Sequence, residues 1–278
     1  MTDISAQAAK AETLRQLHRG PKLLVLLNAW DVASARIFEE TGAPAIATTS
    51  AGIAFSLGYP DGEKIPREEM ASAVARIASK VRIPVSADME AGYGPRPEDA
   101  ALTAKVVIEA GAVGMNLEDG TGNSKKPLAD LSLQLEKIPA VIETGRKAGV
   151  PLVLNARTDI YLRQVGAPET RFEEALRRLN AFRDAGADCL FIPGVRDLPT
   201  IERFVRELRH PINILAGPGS PSISELQNAG VARVTIGSGA MRATLGLTNR
   251  IARELFTSGT YANLEGAVAG TEVNRMLT

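Results

Sequence analysis

Ala110-Gly111-Ala112-Val113-Gly114-Met115-Asn116-Leu117-Glu118-Asp119 decides the fold. It opens on a glycine suited to the left-handed residue that closes a helix. An apolar run follows with little alternation, as in a parallel strand covered on both faces. The run ends on two acids. The unit recurs: Thr41-Gly42-Ala43, Ala148-Gly149-Val150, Ala185-Gly186-Ala187 and Ala229-Gly230-Val231 also precede apolar runs. These glycines mark the helix-to-strand side of the repeat.

Strands are expected at 23–29, 45–50, 84–89, 114–119, 151–157, 189–194, 212–217 and 233–238. Helical patterns lie between them at 32–40, 67–79, 98–109, 131–147, 171–184, 198–208, 222–228 and 240–256. Eight βα units in a chain of 278 residues spell an α/β fold of the (β/α)8 TIM-barrel kind. A doubly wound open sheet is the alternative. It has little support, because no GxGxxG opens a helix and no P-loop is present. Residues 1–20 form an amphipathic N-terminal helix. Residues 261–278 carry a further helical pattern that a barrel does not need; it packs on the outside or reaches a neighbouring subunit. Residues 1–278 are expected to form one domain.

The chain is 45% hydrophobic and 23% charged, with 32 basic and 32 acidic residues. A zero net charge advertises neither nucleic acid nor anionic membrane as a partner. The single cysteine, Cys189, excludes an internal disulfide framework and a cysteine-rich zinc site. The N-terminus lacks a signal-peptide h-region, and no apolar run reaches membrane-spanning length. A cytoplasmic protein is expected.

Function in such a barrel gathers at the C-terminal strand ends. These read Asn28-Ala29-Trp30-Asp31, Thr48-Thr49-Ser50-Ala51-Gly52, Asp88-Met89-Glu90, Asn116-Leu117-Glu118-Asp119 and Asn155-Ala156-Arg157-Thr158-Asp159. Asp88 and Glu90 stand two residues apart, and i and i+2 share a face in a strand. Converging carboxylates need a positive partner, and Mg²⁺ takes oxygen ligands while keeping waters. The plainer alternative is that Asp88 caps a turn and Glu90 is solvated. Arg157 suits a substrate carboxylate, which arginine grips bidentately; otherwise it pairs with Asp159 or Glu118 and only orders the rim. Hydroxyls and backbone N–H groups at Thr49–Gly52 suit a second anionic group. Asp119 reads as a turn or cap residue.

His18, His210 and Cys189 all fall on the opposite side, which disfavours His or Cys catalysis and a zinc site built on them. Two longer connections, 52–66 and 120–130, are polar and glycine-bearing, like mobile covers.

The chain resembles the isocitrate lyase/phosphoenolpyruvate mutase superfamily. The resemblance covers nearly all of it. It rests on Asn28-Ala29-Trp30-Asp31, Thr49-Ser50-Ala51-Gly52, Ser56-Leu57-Gly58-Tyr59-Pro60-Asp61, Asp88-Met89-Glu90-Ala91-Gly92-Tyr93-Gly94, Asn116-Leu117-Glu118-Asp119 and Asn155-Ala156-Arg157-Thr158-Asp159. It implies a (β/α)8 barrel that binds Mg²⁺ with small 2-oxo or 2-hydroxy acids and works through a pyruvate-like enolate. By resemblance, Asp88 is the main metal carboxylate, with Glu90 and Glu118 serving the same cation. Arg157 and Asp61 match a substrate arginine and a gating-loop acid. Trp30, Thr49, Ser50 and Ala51 match the substrate-carboxylate region. A homo-oligomer, a tetramer with exchanged terminal helices, is also implied.

The chain departs from both branches. The lyases carry Lys-(Lys/Arg)-Cys-Gly-His on the loop after strand four, and 120–130 has no Cys or His. Asn123-Ser124 and Pro127-Leu128-Ala129-Asp130 resemble the mutase loop in shortened form, which makes Asn123 a candidate for holding a phosphoryl group. Pro193 stands where mutases have His. Pro193-Gly194 and Ala216-Gly217-Pro218 replace strand ends that supply Glu and Asn in lyases. C–C cleavage is the expected reaction. P–C chemistry and a non-catalytic 2-oxo acid binder are the alternatives.

Overall fold

The computed structural model describes residues 3–278. Nine parallel strands form one sheet: β1 (Leu24–Val25), β2 (Leu27–Ala29), β3 (Ile46–Thr48), β4 (Val85–Asp88), β5 (Gly114–Glu118), β6 (Val153–Arg157), β7 (Cys189–Phe191), β8 (Ile212–Leu215) and β9 (Arg233–Thr235). β1 and β2 are the two halves of the first expected strand. β1 pairs with β9 and β2 with β3, and every other pairing joins consecutive strands. The sheet therefore closes through its first strand. Leu26, at the break, keeps its bond to the neighbour by donating to the Val234 carbonyl at 2.8 Å. The expected (β/α)8 barrel is present.

Eleven α-helices accompany the strands: α1 (Ile4–Leu17), α2 (Val32–Glu40), α3 (Ser50–Ser56), α4 (Arg67–Lys80), α5 (Pro97–Glu109), α6 (Leu131–Lys147), α7 (Arg171–Asp184), α8 (Leu198–Leu208), α9 (Ile223–Asn228), α10 (Gly239–Thr257) and α11 (Gly270–Leu277). Four barrel helices begin and end where the sequence pattern puts them; α4, α5 and α9 move by one residue at one end and α10 by one residue at each end. The glycines between helix and strand behave as expected: Gly42, Gly111, Gly149, Gly186 and Gly230 have φ of +92, +86, +75, +105 and +84°. Only glycine adopts that conformation without strain.

α1 closes the bottom of the barrel. Leu14 is fully buried, and a Cβ on Gly114 would stand 2.8 Å from its Cδ2. The strand thus needs glycine there to admit the plug. Gln7 ties the helix down by donating to the carbonyls of Ile108 and Ala112 at 2.8 and 3.0 Å.

Two segments differ from expectation. The connection read at 52–66 begins inside α3, which Thr49 caps by accepting the Gly52 N–H at 3.3 Å. The 261–278 pattern resolves into a short 3₁₀ turn at Ala262–Leu264 and then α11. α11 packs on α2 of the same chain: Met276 is buried, its carbonyl accepts from Arg36 Nε at 2.7 Å, and Arg275 pairs with Glu40 at 2.6 Å. α10 buries only Met241 along its whole length and leaves Phe256 92% exposed. Among the described residues no helix is long and apolar enough to cross a membrane.

Candidate active site

β4 delivers Asp88 to the C-terminal rim, where its two oxygens are held from opposite sides. Oδ2 accepts from the Ser50 N–H at 3.0 Å and the Ser50 hydroxyl at 2.9 Å. Oδ1 accepts from Asn116 Nδ2 at 3.1 Å, and Asn116 is itself oriented by Asn155 Nδ2 at 2.7 Å. The Asp88 N–H donates to Thr48 Oγ1 at 2.9 Å. Three neighbouring strand ends thus fix one carboxylate. Ser50 is engaged with Asp88 through both its N–H and its hydroxyl, so here it orients an acid.

Glu90 reaches the same place by a route that strand periodicity does not describe. β4 stops at Asp88, and Glu90 is left-handed, with φ of +50°. The i, i+2 argument therefore fails, and a turn does the work instead. The Glu90 carbonyl accepts the Glu118 N–H at 2.9 Å, which docks the turn on the next strand. Glu90 Oε2 accepts the Glu63 N–H at 2.7 Å, and Glu63 Oε1 accepts the Tyr93 N–H at 2.6 Å. Glu63 and Tyr93 are also left-handed, each with φ of +56°. Strain of this kind persists only where surrounding contacts over-determine it, and it clusters at functional sites. The contacts are visible here. Arg67 donates to the Tyr93 carbonyl, and the buried Lys137 ammonium donates to the carbonyls of Ala91 and Gly94 at 2.9 and 2.7 Å.

β5 and β6 supply an ionic ladder. Arg157 Nη1 lies 2.7 Å from Glu118 Oε2 and its Nε 2.6 Å from Asp159 Oδ1. Its guanidinium carbon lies 5.7 Å from the centre of the Phe191 ring. Burial works against the Arg157 cation, but Glu118, Asp159 and Asp88 together hold its pKa above the ordinary value. Asp119 turns away from the site. It accepts from the Thr158 hydroxyl, the Asp159 N–H and Arg178 Nη1 at 2.7, 2.9 and 3.2 Å, and so braces the ends of β5 and β6. That is the structural role expected for it, with more partners than a cap.

The other candidates are spread more widely. Asp61 is exposed as a residue, yet partial desolvation of its carboxyl and then the charge of Asp88 raise its pKa. Ala51 is half-buried in the first turn of α3, beside the capping residue Thr49. Trp30 lines a flank cavity of about 250 Å³ with Ile53, Leu57 and Ile77, away from the acids. Asn123 is exposed, and its Oδ1 accepts the N–H of Lys125 in its own loop at 2.9 Å. His18, His210 and Cys189 lie at the other end of the barrel, as expected.

The acids suit a cation. Burial first, then Asp88 and Asp61, push Glu90 up to about 8. Burial outweighs Arg157 in raising Glu118 well above the carboxylate range, with Asp159, Asp88 and Glu90 adding to it. Glu90 Oε1 is buried with no hydrogen-bond partner. Among the described residues no three His, Cys, Asp or Glu side chains converge closely enough to enclose an ion by themselves. That suits a hydrated Mg²⁺, which needs only one or two protein carboxylates and keeps several waters, better than a fully protein-ligated metal.

Sequence reading missed the residues that hold these acids in place: Ser50 in its role on Asp88, Asn116, Glu63, Lys137 and Arg178. Lys137 left a legible signal, because it sits on the buried stripe of α6 with Gln134, Ile138 and Val141.

The family model described as phosphoenolpyruvate phosphomutase matches residues 14–256. The chain belongs to this phosphoenolpyruvate phosphomutase family. Within the wider isocitrate lyase/phosphoenolpyruvate mutase superfamily it is 34% identical to the uncharacterized protein Rv1998c of Mycobacterium tuberculosis, over 96% of this chain and 99% of that one. It is 28% identical to 2-methylisocitrate lyase of Salmonella typhimurium, over 87% and 83% of the two chains. The structure of oxaloacetate acetylhydrolase in complex with oxalate is 27% identical, with a TM-score of 0.85 over 96% and 93% of the chains.

Proposed function

We propose that this phosphomutase-family protein is a Mg²⁺-dependent enzyme. Its substrate is a small 2-oxo or 2-hydroxy carboxylate, cleaved at a C–C bond through a pyruvate-like enolate. The observation that carries this is the set of acids at the rim. Asp88 is locked from two sides, and Glu90 keeps one buried oxygen without a partner. Arg157 stands across from them. Asp88, Glu90 and Glu118 would hold the cation, directly or through water. When bound, the cation supplies Lewis-acid stabilisation of charge building on the substrate's 2-oxygen.

The chain's own residues do the rest. Arg157 fixes the substrate carboxylate; in the Thr49–Ala51 turn Ser50 is spent on Asp88, which leaves the first-turn N–H of Ala51 to meet a second anionic edge. Asp61, raised by burial and by Asp88, covers the acids from the 57–66 side. No His or Cys stands at this end, so the enolate left by cleavage, whether a carbon fragment or CO₂ departs, takes its proton from water. C–C cleavage is supported by the relatives: 2-methylisocitrate lyase and, at 28% identity, oxaloacetate decarboxylase of Bradyrhizobium diazoefficiens. A P–C reaction is the second reading, favoured by Asn123-Ser124 and 127–130.

The test is turnover of oxaloacetate, 2-methylisocitrate and phosphonopyruvate with Mg²⁺, by wild type and Asn123→Ala. Pyruvate-forming or succinate-forming cleavage of a carbon acid that survives Asn123→Ala supports the C–C reading. Turnover confined to phosphonopyruvate and lost in Asn123→Ala replaces it with the P–C reading. Mg²⁺-dependent binding of the acids without turnover would mark a binding protein.

Assembly and location belong to the same proposal. α10 and the segment after it leave Leu245, Leu255, Phe256, Tyr261 and Leu264 exposed, an apolar surface that a homo-oligomer, a tetramer by the family resemblance, would cover. A cytoplasmic enzyme without nucleic-acid or membrane partners fits the balanced charge.

A further inference from the structure

The rim holds a second arginine to which the proposed reaction gives no task. Arg163 ends the turn after β6. Its N–H donates to the Asp159 carbonyl and its Nε to Asp159 Oδ2, both at 2.8 Å. Asp159 is fully buried, and its other oxygen accepts from Arg157. One carboxylate therefore spaces two guanidinium groups. Arg157 also pairs with Glu118. Arg163 makes no other side-chain hydrogen bond among the described residues, and 32% of its side chain stays open.

The open part faces the site. Arg163 lines a cavity of about 30 Å³ with Gly62, Glu90, Glu118 and Gly120. This cavity shares Glu118, Gly120 and Thr121 with a larger one of about 320 Å³ that runs beneath the 120–130 loop. Gly120 carries an independent signal. Its φ is not in the left-handed region, so its backbone does not demand glycine. A Cβ there would stand 2.7 Å from Asp159 Oδ2, 2.9 Å from Arg163 Nη2 and 3.0 Å from Arg163 Nε. The missing side chain is what leaves room for the guanidinium.

We propose that Arg163 binds the distal carboxylate of a C4-type diacid whose 2-oxo acid end lies against Asp88 and Arg157. The inference rests on the metal-dependent reading of that site. Glu63, Glu90 and Glu118 all line the cavity, so an anionic group is held there only with Glu90 and Glu118 balanced by the cation and Glu63 engaged by the Tyr93 N–H. Arginine grips a carboxylate through two parallel N–H bonds, which a lysine cannot reproduce.

The experiment is calorimetry with Mg²⁺ and two probes, oxalate and 3,3-difluorooxaloacetate. Both carry a 2-oxo-acid-like end; only the second extends to a distal carboxylate. Arg163→Met should weaken 3,3-difluorooxaloacetate by about 10- to 100-fold, the range for a lost hydrogen bond between charged groups. Oxalate should change by less than about threefold, the scale of a distant charge at the rim. Arg163→Lys should recover part of the loss. Equal weakening of both would show Arg163 acting only through Asp159 and Arg157 and would overturn the inference, as would no change for either. Failure of oxalate to bind wild type with Mg²⁺ would overturn the metal-site reading and this inference together; an unequal pattern restricted to wild type against Arg163→Met supports both.

Discussion

Arg157 and Arg233 sit inside the same barrel and are treated in opposite ways. Arg157, at the C-terminal rim, is held by Glu118 and Asp159 and lies near the Phe191 ring. Arg233 points into the lower barrel from the start of β9. It is 1% exposed, and its Nε, Nη1 and Nη2 have no hydrogen-bond partner among the described residues. Burial lowers it to about 10, pushes the neighbouring Cys189 thiol up to about 12 and drives His18 down to about 3, with Arg233 adding to the last effect. The upper end balances buried charge with opposite charge and leaves an acid oxygen to spare. The lower end keeps Cys189 and His18 neutral beneath a plug of α1, and pairs Arg15 of that plug with Asp188 at 2.8 Å. Perturbed groups, an ion pair, a left-handed residue and a cavity occur at the lower end too, in Arg15–Asp188, Arg209 and the space lined by His18 and His210; among the described residues only the upper end gathers several buried carboxylates at the strand ends and leaves one of their oxygens without a partner. That combination, more than any single perturbed group, marks a site.

The contrast is most sharply broken at Asp88. Asp88→Ala should abolish Mg²⁺ binding and cut turnover by at least about 10³-fold, the scale of a lost electrostatic stabiliser. Its circular dichroism should stay that of the wild type. Unchanged Mg²⁺ affinity by calorimetry would move the metal site elsewhere.

The two arginines can be compared directly by urea unfolding. Arg157→Met leaves Glu118 buried without its partner and Asp159 with Arg163 alone, and should cost about 3–5 kcal/mol. Arg233→Met removes a buried charge that has no partner and should be neutral or stabilising by up to about 2 kcal/mol. Equal losses would mean that Arg233 has a partner of comparable strength.

His18 tests the lower end by pH. Its folded pKa of about 3 lies below the ordinary unfolded value. Between the two, the unfolded chain binds the extra proton, so stability falls as pH drops below about 6.5. From pH 6.5 to 4.5 the wild type should lose about 2 kcal/mol more than His18→Leu. Parallel pH profiles of the two proteins would show that His18 is not kept neutral.

The smallest effect is expected furthest from both ends. Deleting 270–278 removes one buried methionine and an exposed ion pair, worth about 1–3 kcal/mol together. Light scattering on the same deletion separates two cases. An unchanged mass fits α11 packing within its own chain, and a fall in mass fits helices exchanged between subunits.

Much of this was legible in the residues. Glycine after five of the helices and an apolar run after each of those glycines are local signals, and they locate the barrel because backbone sterics and burial act over a few residues. The same order of elements puts Asp88, Glu118 and Arg157 at one rim and His18, His210 and Cys189 at the other. Folding in three dimensions decided the rest. Glu90 enters the site through a left-handed turn held by Glu63, Arg67 and Lys137, in contacts that each span 26 or more positions in sequence. Ser50 serves Asp88 because β3 and β4 lie side by side. Gly120 reads as a loop glycine until Arg163 is seen packed against it. Periodicity and turn chemistry are properties of neighbours along the chain; the pairing of buried charges is a property of neighbours in space, and it is there that this protein's site is made.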